Sequence, residues 1–193
     1  MEDTQLATDV ERLTESLGQL PEPVAKPALV VVSGLPGTGK SYFSSKLAER
    51  LPFVILESDA LRRVLFSSPS YNPKESSRLF QAVHLLIERL LKKGISLILD
   101  ATNLSEQRRE YLYSIADHLD AKLVLVRVEA PPQVVRGRLE TRLKDSGNKS
   151  DADWLVYQRM RFSVDKIQRK HYAVDTSRDV TPVLEKIVKE MKH

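Results

Sequence analysis

The stretch from residue 28 to residue 41 constrains the fold more than any other part of the chain. An apolar run that ends at Val32 opens into G-L-P-G-T-G-K-S, which fits the Walker A pattern G-x-x-x-x-G-K-[ST]. In such a loop the glycines let backbone N–H groups converge on phosphate oxygens, and the following helix adds the positive end of its dipole. The pattern therefore predicts a strand, a phosphate-binding loop and a helix in succession.

The same loop supplies the residues that we expect to hold a nucleoside triphosphate. Lys40 can reach the β- and γ-phosphates, and the hydroxyl of Ser41 can bind Mg²⁺. The residues expected to contact the nucleotide are Gly34, Pro36, Gly37, Thr38, Gly39, Lys40, Ser41 and Tyr42.

Composition limits the class of protein. The chain has 193 residues, 41% of them hydrophobic and 29% charged, which is typical of one globular domain. The net charge of +4 suits an anionic substrate and is too small to establish nucleic-acid binding. The chain has no cysteine, which excludes a disulfide scaffold and a thiolate metal site. It shows neither an apolar run of membrane-spanning length nor a signal peptide, so we expect a cytoplasmic protein with no membrane partner.

The first 26 residues differ from the rest in pattern. Apolar residues recur at helical spacing from Leu6 to Leu20, and a proline-rich stretch follows. We expect an N-terminal amphipathic helix and linker over residues 1–26 and a P-loop kinase domain over residues 27–193. The helix either packs on the domain's own surface or binds a partner, and the sequence leaves this choice and the oligomeric state open.

Strands and helices alternate beyond the phosphate loop. Apolar runs end at Leu56, Leu99 and Val128, and helical patterns separate them. This alternation predicts an α/β fold with about five parallel strands and helices on both faces of the sheet. A further helix is expected over residues 153–169. Ligands of such a sheet lie beyond the carboxyl ends of its strands.

The pattern D-x-x-R follows the second predicted strand, at Asp59 and Arg62. Residues three apart at a helix start can point into one cleft. A carboxylate there can accept the proton of an attacking hydroxyl, and an arginine can hold an anionic group with two hydrogen bonds. The alternative is that Asp59 only caps the helix and that Arg62 is a surface cation.

Polar residues also follow the third predicted strand. Asp100 stands where a Walker B acid would, and we expect it to hold a water of the Mg²⁺ shell. The alternative is that it contacts the substrate or the phosphate loop. Thr102 and Asn103 are expected near the substrate. Arg108 and Arg109 follow at the start of the next helix and are each expected on its solvated face, the alternative being that one of them faces the acceptor site.

Two arginines lie four residues apart on a later predicted helix. Arg138 and Arg142 precede a polar segment that contains Gly147 and Ser150. This arrangement is typical of a lid that closes cations over a triphosphate. Such cations stabilise the charge on the γ-phosphoryl group in the transition state. The alternative is an exposed basic helix.

Taken in order, these motifs resemble those of a known family. G-L-P-G-T-G-K-S, S-D-A-L-R, L-I-L-D-A-T-N and R-L-E-T-R are similar to the motifs of P-loop kinases of the polynucleotide-kinase-like group, which includes zeta-toxin and AAA_33 types. The resemblance covers residues 28–178. It implies ATP and Mg²⁺ as cofactors, a P-loop kinase fold with an arginine-bearing lid, and phosphoryl transfer to a hydroxyl group. The catalytic residues that it implies are Lys40, Asp59, Arg62, Arg138 and Arg142.

The motifs do not name the acceptor. We expect an ATP-dependent phosphotransferase acting on an alcohol group, and a small molecule or nucleoside is favoured. The chain shows no strip of aromatic and basic residues of the kind that holds a polynucleotide. The alternatives are a polynucleotide 5′-hydroxyl kinase and an ATP-binding switch or partner-binding module with little catalysis.

Overall fold

The computed structural model describes residues 2–144 and 153–192. Five parallel strands form one sheet in the spatial order β2-β3-β1-β4-β5, which confirms the predicted α/β fold. The strands are β1 (Ala28–Ser33), β2 (Val54–Glu57), β3 (Leu97–Asp100), β4 (Lys122–Glu129) and β5 (Tyr172–Asp175).

Helices cover both faces of this sheet, and each follows a pattern of buried apolar residues. The helices are α1 (Glu2–Ser16), α2 (Lys40–Ala48), α3 (Ser58–Leu65), α4 (Pro73–Lys92), α5 (Glu106–His118), α6 (Pro132–Lys144), α7 (Trp154–Met160) and α8 (Thr181–Met191).

Side chains of β1 alternate between two separate apolar cores. Leu29 and Val31 pack with α1, α3, α4 and α5, whereas Val30 and Val32 pack with α2 and α8. Because β1 is buried on both faces, its continuous apolar run is the pattern expected of a central parallel strand.

The strand register brings three loops to one edge of the sheet. Val32 of β1 lies opposite Asp100 of β3, and Asp100 lies opposite Glu57 of β2. The phosphate loop therefore begins beside the carboxylate that ends β3, and Glu57 at the end of β2 lies one strand further out.

Helix α1 packs on α3 and α4 of the same chain. Val10 and Leu13 are buried in the core. The carboxylate of Asp9, which is fully buried, accepts hydrogen bonds of 2.6 and 2.8 Å from the guanidinium of Arg78 on α4. Of the two alternatives for this helix, the structure shows packing on its own chain. The division into residues 1–26 and 27–193 stays a prediction.

The predicted helix over residues 153–169 is wrong in its second half. Helix α7 begins after Asp153, whose carboxylate accepts a hydrogen bond from the Val156 N–H, and it ends at Met160. A short 3₁₀ turn follows, and the chain then leaves helical geometry. The carbonyls of Asp165 and Lys166 accept hydrogen bonds from a buried arginine of α5, so they do not form helical ones.

Within the described residues, we find no helix that combines the length and the apolar character needed to cross a lipid bilayer.

Candidate active site

The phosphate loop needs glycine at two positions for reasons visible in its surroundings. Gly37 and Gly39 have φ angles of +77° and +94°, which residues with a side chain rarely adopt. A Cβ atom on Gly37 would lie 2.9 Å from side-chain atoms of Leu139 on α6. A Cβ atom on Gly39 would lie 2.9 Å from the hydroxyl of Thr176, just after β5. The loop is therefore packed closely against α6 and the end of β5.

Lys40, the first residue of α2, is close enough to both candidate carboxylates to feel their charges. Its ammonium donates a hydrogen bond of 3.2 Å to the carbonyl of Leu35 in the loop. Burial lowers the pKa of Lys40, and the negative charges of Asp100 and Asp59 act in the opposite direction. The predicted phosphate-binding lysine and both predicted acids are thus close enough to influence one another.

Asp100 is almost fully buried at the end of β3. Burial raises the pKa of its carboxyl group, while Lys40 and a hydrogen bond with Ser41 act to lower it. Its Oδ2 atom has no hydrogen-bond partner among the residues that the structure describes. A buried carboxylate oxygen without a partner is costly unless a ligand completes it.

Ser41 and Asp100 fit the requirements of Mg²⁺ in a phosphate loop. In residues 2–144 and 153–192 there is no group of three or more histidine, aspartate or glutamate side chains that could hold a metal by themselves. A phosphate-loop Mg²⁺ needs no such group, because phosphate oxygens and waters complete the shell around one hydroxyl and one carboxylate. The oxygen of Asp100 without a partner agrees with this arrangement.

Asp59 is the second residue of α3 and lies in its first turn. The N-cap residue is Glu57, so Asp59 does not occupy the cap. Burial raises the pKa of Asp59, Lys40 and Arg62 lower it, and Asp100 raises it further. A half-buried carboxyl group with a raised pKa beside a phosphate-binding lysine is suited to accept a proton.

Arg62 is buried, in contrast to the alternative of a surface cation. Its guanidinium donates a hydrogen bond of 2.5 Å to Glu75 and one of 3.3 Å to the hydroxyl of Ser76. It also lies over the ring of Tyr71, 4.6 Å from the ring centre. Its Nε–H has no partner among the described residues. Contact of Arg62 with a phosphate stays a prediction.

Glu75 holds this arrangement together from the first turn of α4. Its carboxylate accepts hydrogen bonds from the N–H and hydroxyl of Ser70, the N–H of Tyr71 and the guanidinium of Arg62. Burial opposes the charged form, but these hydrogen bonds outweigh it and lower the pKa of Glu75 to about 2. The sequence motifs gave no signal for Glu75, because its partners lie in a loop and on another helix.

The structure gives Asn103 a role within the fold. Its side-chain N–H donates a hydrogen bond of 3.0 Å to the carbonyl of Val32, at the end of β1. The carbonyl of Thr102 accepts a hydrogen bond of 3.0 Å from the Gly34 N–H. These bonds tie the loop after β3 to the start of the phosphate loop. Contact of Thr102 or Asn103 with a substrate stays a prediction.

Arg109 is buried and does not lie on a solvated helix face, so that expectation is wrong. Its guanidinium donates a hydrogen bond of 2.5 Å to the carbonyl of Asn103 and one of 2.9 Å to the carbonyl of Asp165. It also forms an ion pair of 2.6 Å with Glu106. Arg108 is exposed, as expected.

The two lid arginines have different surroundings. Arg138 donates hydrogen bonds of 2.8 and 2.9 Å to the hydroxyl and carbonyl of Thr176, and Thr176 in turn donates to the carbonyl of Thr38 in the phosphate loop. Arg142 lies near Lys40 and Asp100, since its charge influences the pKa of both. The predicted lid segment at Gly147 and Ser150 lies outside the described residues.

Two residues that sequence reasoning did not single out border this site. Thr176 bridges Arg138 and the phosphate loop, and Glu57 lies close enough to Lys40 to influence its pKa. Both stand at or just after the end of a parallel strand, as Asp100 does. Their position at a strand end was the sequence feature from which a role at the site could have been predicted. Tyr42, predicted to contact the nucleotide, is exposed on α2.

A comparison with protein-family models identifies the family. The model of the AAA_33 family, described as an AAA domain, matches residues 29–167. The chain belongs to this family of P-loop kinases. Membership confirms the resemblance predicted from the motifs, and α1 lies before the matched residues.

A comparison with curated proteins finds a relative described as an L-seryl-tRNA(Sec) kinase, from Methanococcus maripaludis. It is 32% identical over 108 residues, which are 53% of this chain and 41% of the relative. The chain thus spans less than half the length of that curated relative.

Solved structures share the fold of this chain over most of its length. The structure of APE1195 superposes with a TM-score of 0.71 at 18% sequence identity. The aligned region covers 89% of this chain and 98% of the APE1195 chain. An APS kinase from Mycobacterium tuberculosis, solved with AMPPNP and APS, has a TM-score of 0.66 and 14% identity over 89% of this chain and all of its own. At such identities the likeness shows the fold alone.

Proposed function

We propose that this chain is an ATP-dependent kinase that transfers the γ-phosphoryl group of ATP to a hydroxyl group on a small molecule. The observation that carries the proposal is that Asp59, in the first turn of α3, and Asp100, at the end of β3, are both close enough to Lys40 for their charges to act on it. A site that only binds a nucleotide needs the lysine and one metal-binding acid. The second, half-buried acid on a separate helix is what a transfer reaction requires.

Each residue of the site has a role in this reaction. Backbone N–H groups of the phosphate loop and Lys40 bind the β- and γ-phosphates. Ser41 would bind Mg²⁺ and Asp100 would hold a water of its shell, and the ion would supply positive charge that neutralises the phosphate oxygens. Arg142 stabilises the γ-phosphoryl group, and Arg138 acts as a positioning residue because its guanidinium is bonded to Thr176.

Asp59 receives the proton in the transfer step. The acceptor oxygen forms a bond to the γ-phosphorus while the bond from that phosphorus to the bridging oxygen breaks, and ADP leaves with the electron pair. The hydroxyl proton passes to the carboxylate of Asp59. Arg62, which is held on the same helix by Glu75 and whose Nε–H has no partner among the described residues, orients the acceptor or the transferred phosphate.

The substitution Asp59→Asn tests this role. It should lower kcat by about 10² to 10⁴, the usual contribution of a general base, and leave the Kd for ATP close to that of the wild type. Asp117→Asn is the matched control, since Asp117 lies exposed on α5 and pairs with Arg169. Phosphorylation by Asp59→Asn at the wild-type rate would show that Asp59 is not the base.

A second candidate is a kinase whose hydroxyl acceptor is carried by RNA or DNA. The identity with an L-seryl-tRNA(Sec) kinase favours it, although this chain spans only part of that protein. The test is incubation with radiolabelled ATP and a short 5′-hydroxyl oligonucleotide or a seryl-tRNA. Labelling of either at a rate above that of small alcohols would make the nucleic acid the preferred acceptor.

The switch hypothesis has less support than transfer. It assigned residues 1–20 to a partner, but Val10 and Leu13 of α1 are buried in this chain's own core. It predicts loss of partner association when residues 1–26 are deleted and no acceptor reaction at any ATP concentration.

A further inference from the structure

A cavity of about 290 Å³ lies along the edge strand β2, between α2 and α3. Val54 begins β2 and Glu57 ends it, and both line the cavity, so it follows the strand for about 10 Å. Ser41 and Asp100 line it as well. These two residues and Glu57 stand at the carboxyl edge of the sheet, so one end of the cavity opens at the proposed metal and phosphate position. We call it the β2 cavity.

Helix α1 contributes the remaining part of the lining. Ser16 is the last residue of α1 and Leu17 follows it, and both line the β2 cavity. These residues lie before the part of the chain that the family model matches. The β2 cavity therefore combines residues of the matched region with a segment that the family match does not include.

The end of α1 is fixed relative to the other walls. Arg12 donates hydrogen bonds to the carbonyls of Val64 and Leu65, the last residues of α3. A cation at a helix C-terminus is favourable because it meets the negative end of the dipole. Val64 itself lines the β2 cavity. The ion pair of Asp9 with Arg78 fixes α1 to α4 as well. Leu17 is thus held in place as part of a wall.

The lining indicates the chemistry of the occupant. The described lining residues include the carboxylates of Glu57 and Asp100 and no lysine, arginine or histidine. A phosphate or carboxylate group would lie beside these acids with no basic side chain of the lining to pair with, and burying it would be costly. Most of the other walls are apolar, Ile55 and Leu61 among them. The volume of about 290 Å³ is just below the usual range for small-molecule sites, roughly 300–1,000 Å³, so the occupant must be small.

We propose that the β2 cavity is the acceptor site, that its occupant is a small uncharged alcohol with an apolar body, and that Leu17 limits the size of that body. This inference rests on the proposed kinase function and names its substrate class. The apolar body lies against β2 and α3, and the hydroxyl group lies at the end of the cavity that opens at the carboxyl edge of the sheet, towards the proposed phosphate position. Ala60 lines the cavity next to Asp59 in sequence, so the proton acceptor is on the same turn of α3.

The test compares acceptors and cavity variants in one assay. Wild type, Leu17→Trp and Leu17→Ala are incubated with radiolabelled ATP and with phenethyl alcohol, gluconate or a short 5′-hydroxyl oligonucleotide. Phenethyl alcohol should be labelled fastest by the wild type. Leu17→Trp, which fills the cavity, should lower that kcat/KM by about tenfold or more, the effect expected when an apolar pocket loses room. Leu17→Ala should shift the preference to longer alcohols.

Two controls separate the cavity from the rest of the protein. Glu15→Trp places the same side chain on the exposed face of α1 and should change kcat/KM by less than about twofold, as surface substitutions do. Binding is followed without turnover by the methyl NMR signals of Leu17 and Ile55 on addition of phenethyl alcohol. Leu85, exposed on α4, serves as the reference signal.

The outcomes distinguish the two proposals. Faster labelling of gluconate or of the oligonucleotide, or equal labelling of phenethyl alcohol by Leu17→Trp and wild type, overturns the cavity proposal and leaves the kinase function standing. Absence of both labelling and methyl shifts with phenethyl alcohol also overturns it. If Asp59→Asn retains the wild-type rate with whichever acceptor is labelled, the proposed kinase mechanism fails instead.

Discussion

The guanidinium of Arg62 donates a hydrogen bond of 2.5 Å to the carboxylate of Glu75, and each of these side chains is only 7% exposed. Arg62 belongs to α3, which carries Asp59, and Glu75 belongs to α4. Because Glu75 also accepts hydrogen bonds from Ser70 and Tyr71, it links α3 to the loop that precedes α4. The position of the proposed base therefore depends on a residue outside the recognised motifs.

Glu75→Gln should lower the free energy of unfolding by about 3 kcal/mol, because it leaves the buried Arg62 cation without its counter-charge. Urea unfolding measures this value. Glu88→Gln is the matched control, since Glu88 lies on the same helix in an ion pair of 2.5 Å with Lys92 at the surface. The control should change the free energy by no more than about 0.5 kcal/mol, as exposed pairs do. Equal losses in the two variants would contradict the importance of the buried pair.

Glu75 should also make stability depend on pH. Its pKa is about 2 in the folded protein against an ordinary value of 4.5. The charged form is favoured by folding, so this stabilisation is present above pH 4.5 and is lost as the pH falls towards 2. In Glu75→Gln the decline of the unfolding free energy over this range should be smaller than in Glu88→Gln. Parallel declines in the two variants would assign the pH dependence to other groups.

Most of the fold follows from local sequence patterns. The apolar runs that end at Val32 and Leu99 predicted buried central strands, and the alternation with helices predicted the parallel sheet. The helix over residues 153–169 was the main error. The helix ends early because the Asp165 and Lys166 carbonyls accept hydrogen bonds from Arg109, which is distant in the chain. No local pattern contains that contact.

The predictable part of the candidate site consists of residues whose chemical type the reaction requires and which follow the end of a strand. Lys40, Asp59 and Asp100 meet because parallel strands deliver them to one edge. Arg62 and Arg109 illustrate the limit, since a buried arginine and a surface arginine look alike in sequence. Whether an arginine is buried depends on partners such as Glu75, and those partners come from tertiary packing.

Asp100→Asn should raise the Mg²⁺ concentration needed for half-maximal nucleotide binding. The oxygen without a partner on Asp100 is the proposed contact to the Mg²⁺ shell, and loss of an outer-shell group usually weakens metal affinity by about 10- to 100-fold. A Mg²⁺ titration in the presence of a fluorescent ATP analogue measures the change. Asp117→Asn, on the exposed face of α5, should leave the titration unaltered. An unchanged midpoint for Asp100→Asn would favour the alternative in which Asp100 contacts substrate.

The pH dependence of catalysis should report the environment of Asp59. Burial raises the pKa of this carboxyl group above the ordinary 3.8, and a base must be deprotonated to act. As the pH falls, kcat/KM should therefore begin to decline above the pH expected for an exposed aspartate. In Asp100→Asn the decline should move to lower pH, because the negative charge of Asp100 contributes to the raised pKa. A profile that is flat down to pH 4, with the protein still folded by circular dichroism, would contradict Asp59 as the base.

Gly37→Ala and Gly137→Ala should have opposite effects although they make the same chemical change. A Cβ atom on Gly37 would lie 2.9 Å from side-chain atoms of Val135 and Leu139, and its φ angle of +77° is unfavourable for alanine. Left-handed geometry costs about 1–2 kcal/mol and overpacking about 1–3 kcal/mol, so both unfolding free energy and nucleotide affinity should fall.

Gly137 lies exposed within α6 with no atom within 4 Å of its Cβ position. Alanine there should raise the unfolding free energy by about 0.5–1 kcal/mol through its higher helix propensity. Urea unfolding measures the free energy of unfolding of both variants, and nucleotide titration measures their affinity. A Gly37→Ala protein that binds nucleotide as tightly as wild type would show that the loop accommodates the added methyl group without losing affinity.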